Sequence, residues 1–162
     1  MHCNRVVMSI VLRSLVVAMT CLVTMSALRA ADQWDDLAQK FIDQEQARFV
    51  RRAADQDGIV IILSHPLISE RVVLAVTEGK PAMSFQFNSS GMPGDDAFEL
   101  MSRGGHLLTG KDTAAANRNL RRALAAAARE TYGVGFVVAD GFAISCVAPR
   151  DSNTLNFLVA GD

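Results

Sequence analysis

Beyond the first thirty residues only His65 and His106 supply imidazole. A metal or acid–base centre built on them needs carboxylates such as Glu70, Asp95, Asp96 or Asp140 folded alongside. No HxH, HExxH or CxxC spacing assembles such a group within the chain. His65 stands before Pro66, and His106 follows Gly104 and Gly105, so both read as loop residues. A small hydrolase or metal-dependent enzyme using His65 and His106 is therefore the alternative reading, and no residue is assigned as catalytic or metal-ligating. Cys146 alternates with Phe142 and Ile144, which puts its thiol on the core side of a strand. Met83, Met92 and Met101 are soft ligands without regular close spacing.

Two further patterns bear on anions. Gly105 to Thr113 (GHLLTGKDT) approaches the phosphate-binding G-x-x-x-x-G-K-[ST]. Asp112, however, takes the place of the magnesium-binding hydroxyl, no strand precedes the segment, and an ordinary helix N-terminus capped by Asp112 explains it. Arg118, Arg122 and Arg129 fall on one face of a helix with Arg121 on its flank. Guanidinium groups so placed bind carboxylates or phosphates bidentately. These four arginines and His106 are the candidate binding residues, for a protein partner or a small anionic ligand; the competing role is a solvated face that keeps an alanine-rich helix soluble.

The elements that must hold these groups follow from periodicity. From Asp32 to Asp57, Trp34, Leu37, Ala38, Phe41, Ile42, Phe49, Val50 and Ala53 recur at helical spacing, with acids early, arginines late and Gly58 after, which predicts one amphipathic helix. Ile59 to Leu63 and Arg71 to Val76 are β-branched runs that read as strands buried on both faces. Ala82 to Asn88 alternates, with Met83, Phe85 and Phe87 inward and Ser84, Gln86 and Asn88 toward water. The short links between these runs call for antiparallel neighbours.

Asp95 to Ser102 reads as a short helix ended by Gly104 and Gly105, and Ala114 to Tyr132 as a long one burying Ala116, Leu120, Ala123, Leu124 and Ala127. Segment 89–111 is then the least regular stretch, the place to expect a pocket against the sheet. Asp140-Gly141 between two strand-forming runs is a two-residue hairpin signal, and Leu155 to Val159 supplies a last strand.

The opening thirty residues place Arg5 and Arg13 before an uncharged run from Ser14 to Leu28, with small residues at Ala27, Ala30 and Ala31. That is the layout of a cleaved export signal, too short an apolar run to span a bilayer. The alternatives are an uncleaved anchor from Val6 to Leu28, which must tolerate Arg13, and lipidation at Cys21, which lacks the small residue before it.

The 162 residues carry 16 Lys+Arg against 17 Asp+Glu, a formal charge of −1; without Arg5, Arg13 and Arg29 the balance is 13 to 17, or −4. Such a chain lacks the basic field of a general nucleic-acid binder. Of three cysteines only Cys146 survives cleavage, so no internal disulfide forms and the core must supply stability.

The expectation is a signal peptide over 1–31, an amphipathic helix over 32–57 and one α+β domain over 58–162. Its sheet is mainly antiparallel, of about six strands, with one long and one short helix packed on it. The expected function is that of an exported, non-catalytic binding or interaction domain in the bacterial periplasm or medium. No cofactor is expected, nucleic acid is excluded, and a membrane is met only through an uncleaved N-terminal segment. A tethered component of an envelope assembly is a further alternative.

Overall fold

A computed structural model describes residues 33–54, 58–77, 80–88, 93–149 and 153–162. The predicted export segment, with Cys3 and Cys21, lies outside the described residues, as do 89–92. The chain divides into Met1–Trp34 and Asp35–Asp162, and the second unit is the one described below.

Residues 33–45 form helix α1. Strands β1 (Arg48–Ala54), β2 (Gly58–His65), β3 (Ile68–Thr77) and β4 (Lys80–Asn88) follow, then helices α2 (Asp95–Thr109) and α3 (Thr113–Arg129), then β5 (Val134–Ala139), β6 (Phe142–Val147) and β7 (Thr154–Gly161). The seven strands make one sheet in the order β1-β2-β3-β4-β7-β6-β5. Every neighbouring pair is antiparallel. Two meanders thus meet where β7 returns beside β4. The architecture is α+β, as the sequence predicts.

Alternation sorts the strand residues between two faces. Leu63, Val72, Phe85, Phe157, Cys146 and Gly135 are successive cross-strand partners on one of them. All three helices cover that face, where Phe85, Phe142, Phe157, Leu63, Leu74 and Met83 are fully buried with Phe41 of α1, Leu100 and Met101 of α2 and Leu120 of α3. Phe157 takes Phe98 at 5.8 Å and Phe87 at 6.2 Å edge-on, and Phe41 meets Phe85 at 6.4 Å. Each fully buried side chain of this size contributes about 1.5–3 kcal/mol, enough to hold the fold with its one described cysteine, Cys146, unbridged.

Several expectations are corrected. The predicted 32–57 helix is two elements. Its helical part stops at residue 45, Gln46 turns the chain with a left-handed φ of 57°, and Arg48–Ala54 is the edge strand β1. The apolar spacing ran across the break: Ala38 and Phe41 are buried, whereas Phe49 and Val50 are exposed. The compact unit consequently takes in α1 and β1 and does not begin at residue 58.

The predicted short helix is also too short, because Gly104 and Gly105 do not end α2. They lie inside it and let its backbone approach the sheet. A Cβ at Gly104 would sit 2.8 Å from Phe85 and 2.9 Å from Met83. The helix ends at Gly110, in the left-handed conformation, whose N–H donates to the carbonyl of His106. His106 is accordingly a helical residue, and the described part of that segment, 93–111, is largely regular. Finally, β2 and β3 are buried on one face only, since alternate residues of each stay partly open.

Candidate functional site

The two histidines are engaged in different places. The Leu67 N–H donates to His65 Nδ1 at 3.1 Å, which leaves Nε2 to donate to the Glu45 carbonyl at 2.8 Å. His65 therefore ties the last turn of α1 to the β2–β3 hairpin with both ring nitrogens in use. His106, at the other end of the helical layer, donates from Nδ1 to the Lys111 carbonyl at 2.6 Å and holds the α2–α3 turn. Among the described residues no three His, Cys, Asp or Glu side chains are grouped as a metal site. Cys146 is fully buried, and burial pushes its thiol up to about 12, so it stays protonated and packs as a small apolar group.

The arginines do not converge. Arg121 turns back onto α2, donating to Asp95 at 2.7 Å and to Asn117 at 2.8 Å while its guanidinium lies 4.4 Å above the Phe98 ring. That side chain fastens the helical hairpin. Arg118, Arg122 and Arg129 are exposed and have no ion pair among the described residues. The phosphate-loop pattern is likewise absorbed by structure. Gly105 to Thr109 are helical, and the Asp112 carboxylate accepts from the N–H groups of Ala114 and Ala115, capping α3 with the charge an anion would need to bring.

Two hollows are seen among the described residues. One, of about 530 Å³, lies between α2 and the start of α3 and is lined by Glu99, Ser102, Arg103, Thr113, Asn117 and Arg118. Arg103 makes a fork onto Glu45, with both bonds at 2.8 Å, and reaches Glu99 at 3.8 Å. The Glu45 hydrogen bond outweighs desolvation and raises the Arg103 pKa. Arg103 and Arg118 face Glu99 in the lining, and Glu45, outside it, neutralises Arg103, so the hollow holds little net charge. The other, of about 500 Å³, sits where segment 89–111 meets the sheet, between Leu108, Thr109 and Lys111 and the strand ends at Lys80, Ala82 and Ala160. It lies in the region where the sequence points to a pocket.

The largest feature is the sheet face away from the helices. Ala53, Val60, Ala75, Ala82, Ala160, Ala143 and Val138 are successive partners in one unbroken apolar row across all seven strands. Beside it runs Arg51, Ile62, Val73, Ser84, Leu158, Ser145 and Phe136, and beyond that Arg71, Gln86, Asn156, Val147 and Val134. Leu158 is 39% exposed at the middle of the sheet and Phe136 64% near its edge. With strands ~4.8 Å apart and like-facing residues ~6.8 Å apart, the three rows cover about 500 Å² in plan, roughly two-thirds of it apolar because Arg51, Ser84, Ser145, Arg71, Gln86 and Asn156 interrupt the second and third rows. Apolar patches of roughly 300–600 Å² on monomers often serve in binding.

The charged strand positions described on this face are basic. Arg48, Arg51, Arg71 and Lys80 stand at its rim, and among the described residues no strand position on it is acidic. Ser84 donates to Asn156 at 2.7 Å and Arg71 to Gln86 at 2.6 Å, so polar groups inside the patch are partly satisfied by each other. None of these residues follows from motif reading. Their signal was apolar character on both sides of the strands, with helices enough to cover only one side. Comparison with protein-family models, with curated proteins and with solved structures returned no match.

Proposed function

We propose that this chain is an exported, non-catalytic interaction domain whose open sheet face docks a protein partner bearing an apolar surface rimmed by carboxylates. The observation that carries the reading is the coincidence of the continuous apolar row with four basic strand positions around it, Arg48, Arg51, Arg71 and Lys80, among the described residues. Desolvating the row supplies affinity, and the Arg48, Arg51, Arg71 and Lys80 charges orient the partner and speed encounter. Export rests on the N-terminal layout of basic residues, apolar run and small residues.

The test is site-specific photo-crosslinking of the full chain in the cell envelope. A probe at Val73 or Leu158 should give one adduct of defined mass, reduced several-fold by Arg51→Glu with Arg71→Glu and by raised salt. A probe at Arg122, on α3, should give none. Equal adducts from both faces, or an adduct insensitive to the charge reversals, would refute the docking mode. The mass of the recovered chain reports in the same experiment whether residues 1–31 have been removed.

A further inference from the structure

The two edges of the sheet are built differently. β1 ends it with Arg48, Arg51 and Arg52 and an irregular register between Phe49 and Arg51, the usual protection against strand addition. β5 ends it with Val-Gly-Phe-Val-Val-Ala, uncharged, free of proline and in regular register with β6.

The hydrogen-bond phase of β5 follows from one contact. The Ala148 N–H donates to the Gly133 carbonyl at 2.7 Å, one step before the opposed pair Val134 and Val147. Antiparallel pairs alternate, so Gly135, Val137 and Ala139 bond to β6, while Val134, Phe136 and Val138 turn their N–H and C=O groups outward. The Asp140-Gly141 turn, with φ of 57° and 78°, agrees, because a two-residue turn is flanked by a bonded pair, here Ala139 and Phe142. The same three residues present their side chains on the open face, 47%, 64% and 50% exposed. Among the described residues, backbone and side chain are thus both without a partner at Val134, Phe136 and Val138.

We propose that β5 pairs with β5 of a second copy of this chain, antiparallel about a two-fold axis at Phe136. The strand is self-complementary about that point, since the axis sets Phe136 on Phe136 and Val134 on Val138, with no like charges opposed. β1 cannot do the same without opposing arginines. One strand pair buries less than the ~1,200–2,000 Å² of a stable interface, so the dimer is weak and concentration-dependent.

Crosslinking of the full chain carrying Cys3→Ser and Cys21→Ser tests this. In the paired strands the two residue-136 Cα atoms are ~5.5 Å apart, within disulfide range. Phe136→Cys should form a disulfide dimer several-fold faster than Arg51→Cys on the opposite edge. Val134→Cys mixed with Val138→Cys should crosslink faster than either alone, and Phe136→Lys should sediment as a monomer where the parent chain dimerises. Equal rates at residues 51 and 136, crosslinking of Val134→Cys alone as fast as in the mixture, or a dimer that persists in Phe136→Lys overturns the proposal. Val73→Lys, on the open face and away from β5, leaves the residue-136 crosslink unchanged, so the result stands apart from partner docking.

Discussion

Gly135→Ala should destabilise the domain more than its small size suggests. Gly135 lies on β5 where α3 crosses, and a Cβ there would sit 1.9 Å from the Ala123 carbonyl oxygen and 2.5 Å from the Ala127 nitrogen. Both atoms are helix backbone, so no rotamer change relieves the contact. Reaching an ordinary separation of ~3.4 Å moves helix or strand by more than an ångström, at a site where interior packing tolerates little. Overpacking costs about 1–3 kcal/mol when side chains yield and more when backbone must, against a gain of ~0.5–1 kcal/mol from removing a strand glycine. A net loss of about 3 kcal/mol lowers the urea midpoint by ~1–2 M. Gly105→Ala supplies the contrast. Its Cβ would meet the Val159 methyl at 3.2 Å, with Phe142 at 3.5 Å and Ala116 at 3.7 Å in ordinary contact, and a helix gains ~1 kcal/mol from the change, so stability should move by less than ~1 kcal/mol. Equilibrium unfolding of both variants by circular dichroism decides the matter. A Gly135→Ala variant within ~1 kcal/mol of the parent would refute the close approach of α3 to β5.

Cys146 makes stability pH-dependent in the alkaline range. Its thiol, near 9 in the unfolded chain and about 12 when buried, keeps its proton longer in the native state, so folding weakens as pH rises above 9. At pH 10 the loss is about 1 kcal/mol, and Cys146→Ala, though less stable at neutral pH, should show a correspondingly flatter pH profile in urea titrations. Asp112→Ala removes the cap on the N–H groups of Ala114 and Ala115 and should cost ~1 kcal/mol by thermal unfolding. Asn119 is buried and donates to the Ala139 carbonyl at 3.1 Å and to Asp140 at 3.2 Å, so Asn119→Ala should cost ~1–3 kcal/mol and speed hydrogen exchange in the β5–β6 turn.

The fold was most legible where local chemistry and tertiary demand coincide. Met83, Phe85 and Phe87 are buried while Ser84 and Gln86 are half-exposed, as their alternation requires, and Asp140-Gly141 makes the hairpin between β5 and β6. Misreadings arose where one pattern serves two structures. Arg48, Arg51 and Arg52 suit a helix C-terminus by the dipole rule and a sheet edge by repulsion of further strands. The paired glycines in α2 look like a terminator locally, and only the nearness of Phe85 and Val159 shows why side chains are absent there.

The candidate site was illegible for a related reason. Motif reading selects residues by what they can do chemically, which led to arginines and histidines that the fold spends on packing or leaves in water. Arg121 braces Asp95, and His65 braces Glu45. A docking face is defined instead by what fails to cover it. The runs in β2 and β3 are apolar on both sides, as in a sheet sandwiched between two layers. Yet α2 and α3 form a single excursion between β4 and β5, and close on the same face as α1. The second apolar side is therefore left to solvent, where its exposure costs free energy in the isolated chain. A partner that covers it recovers that free energy, which makes the open face the region of this domain with most to gain from association.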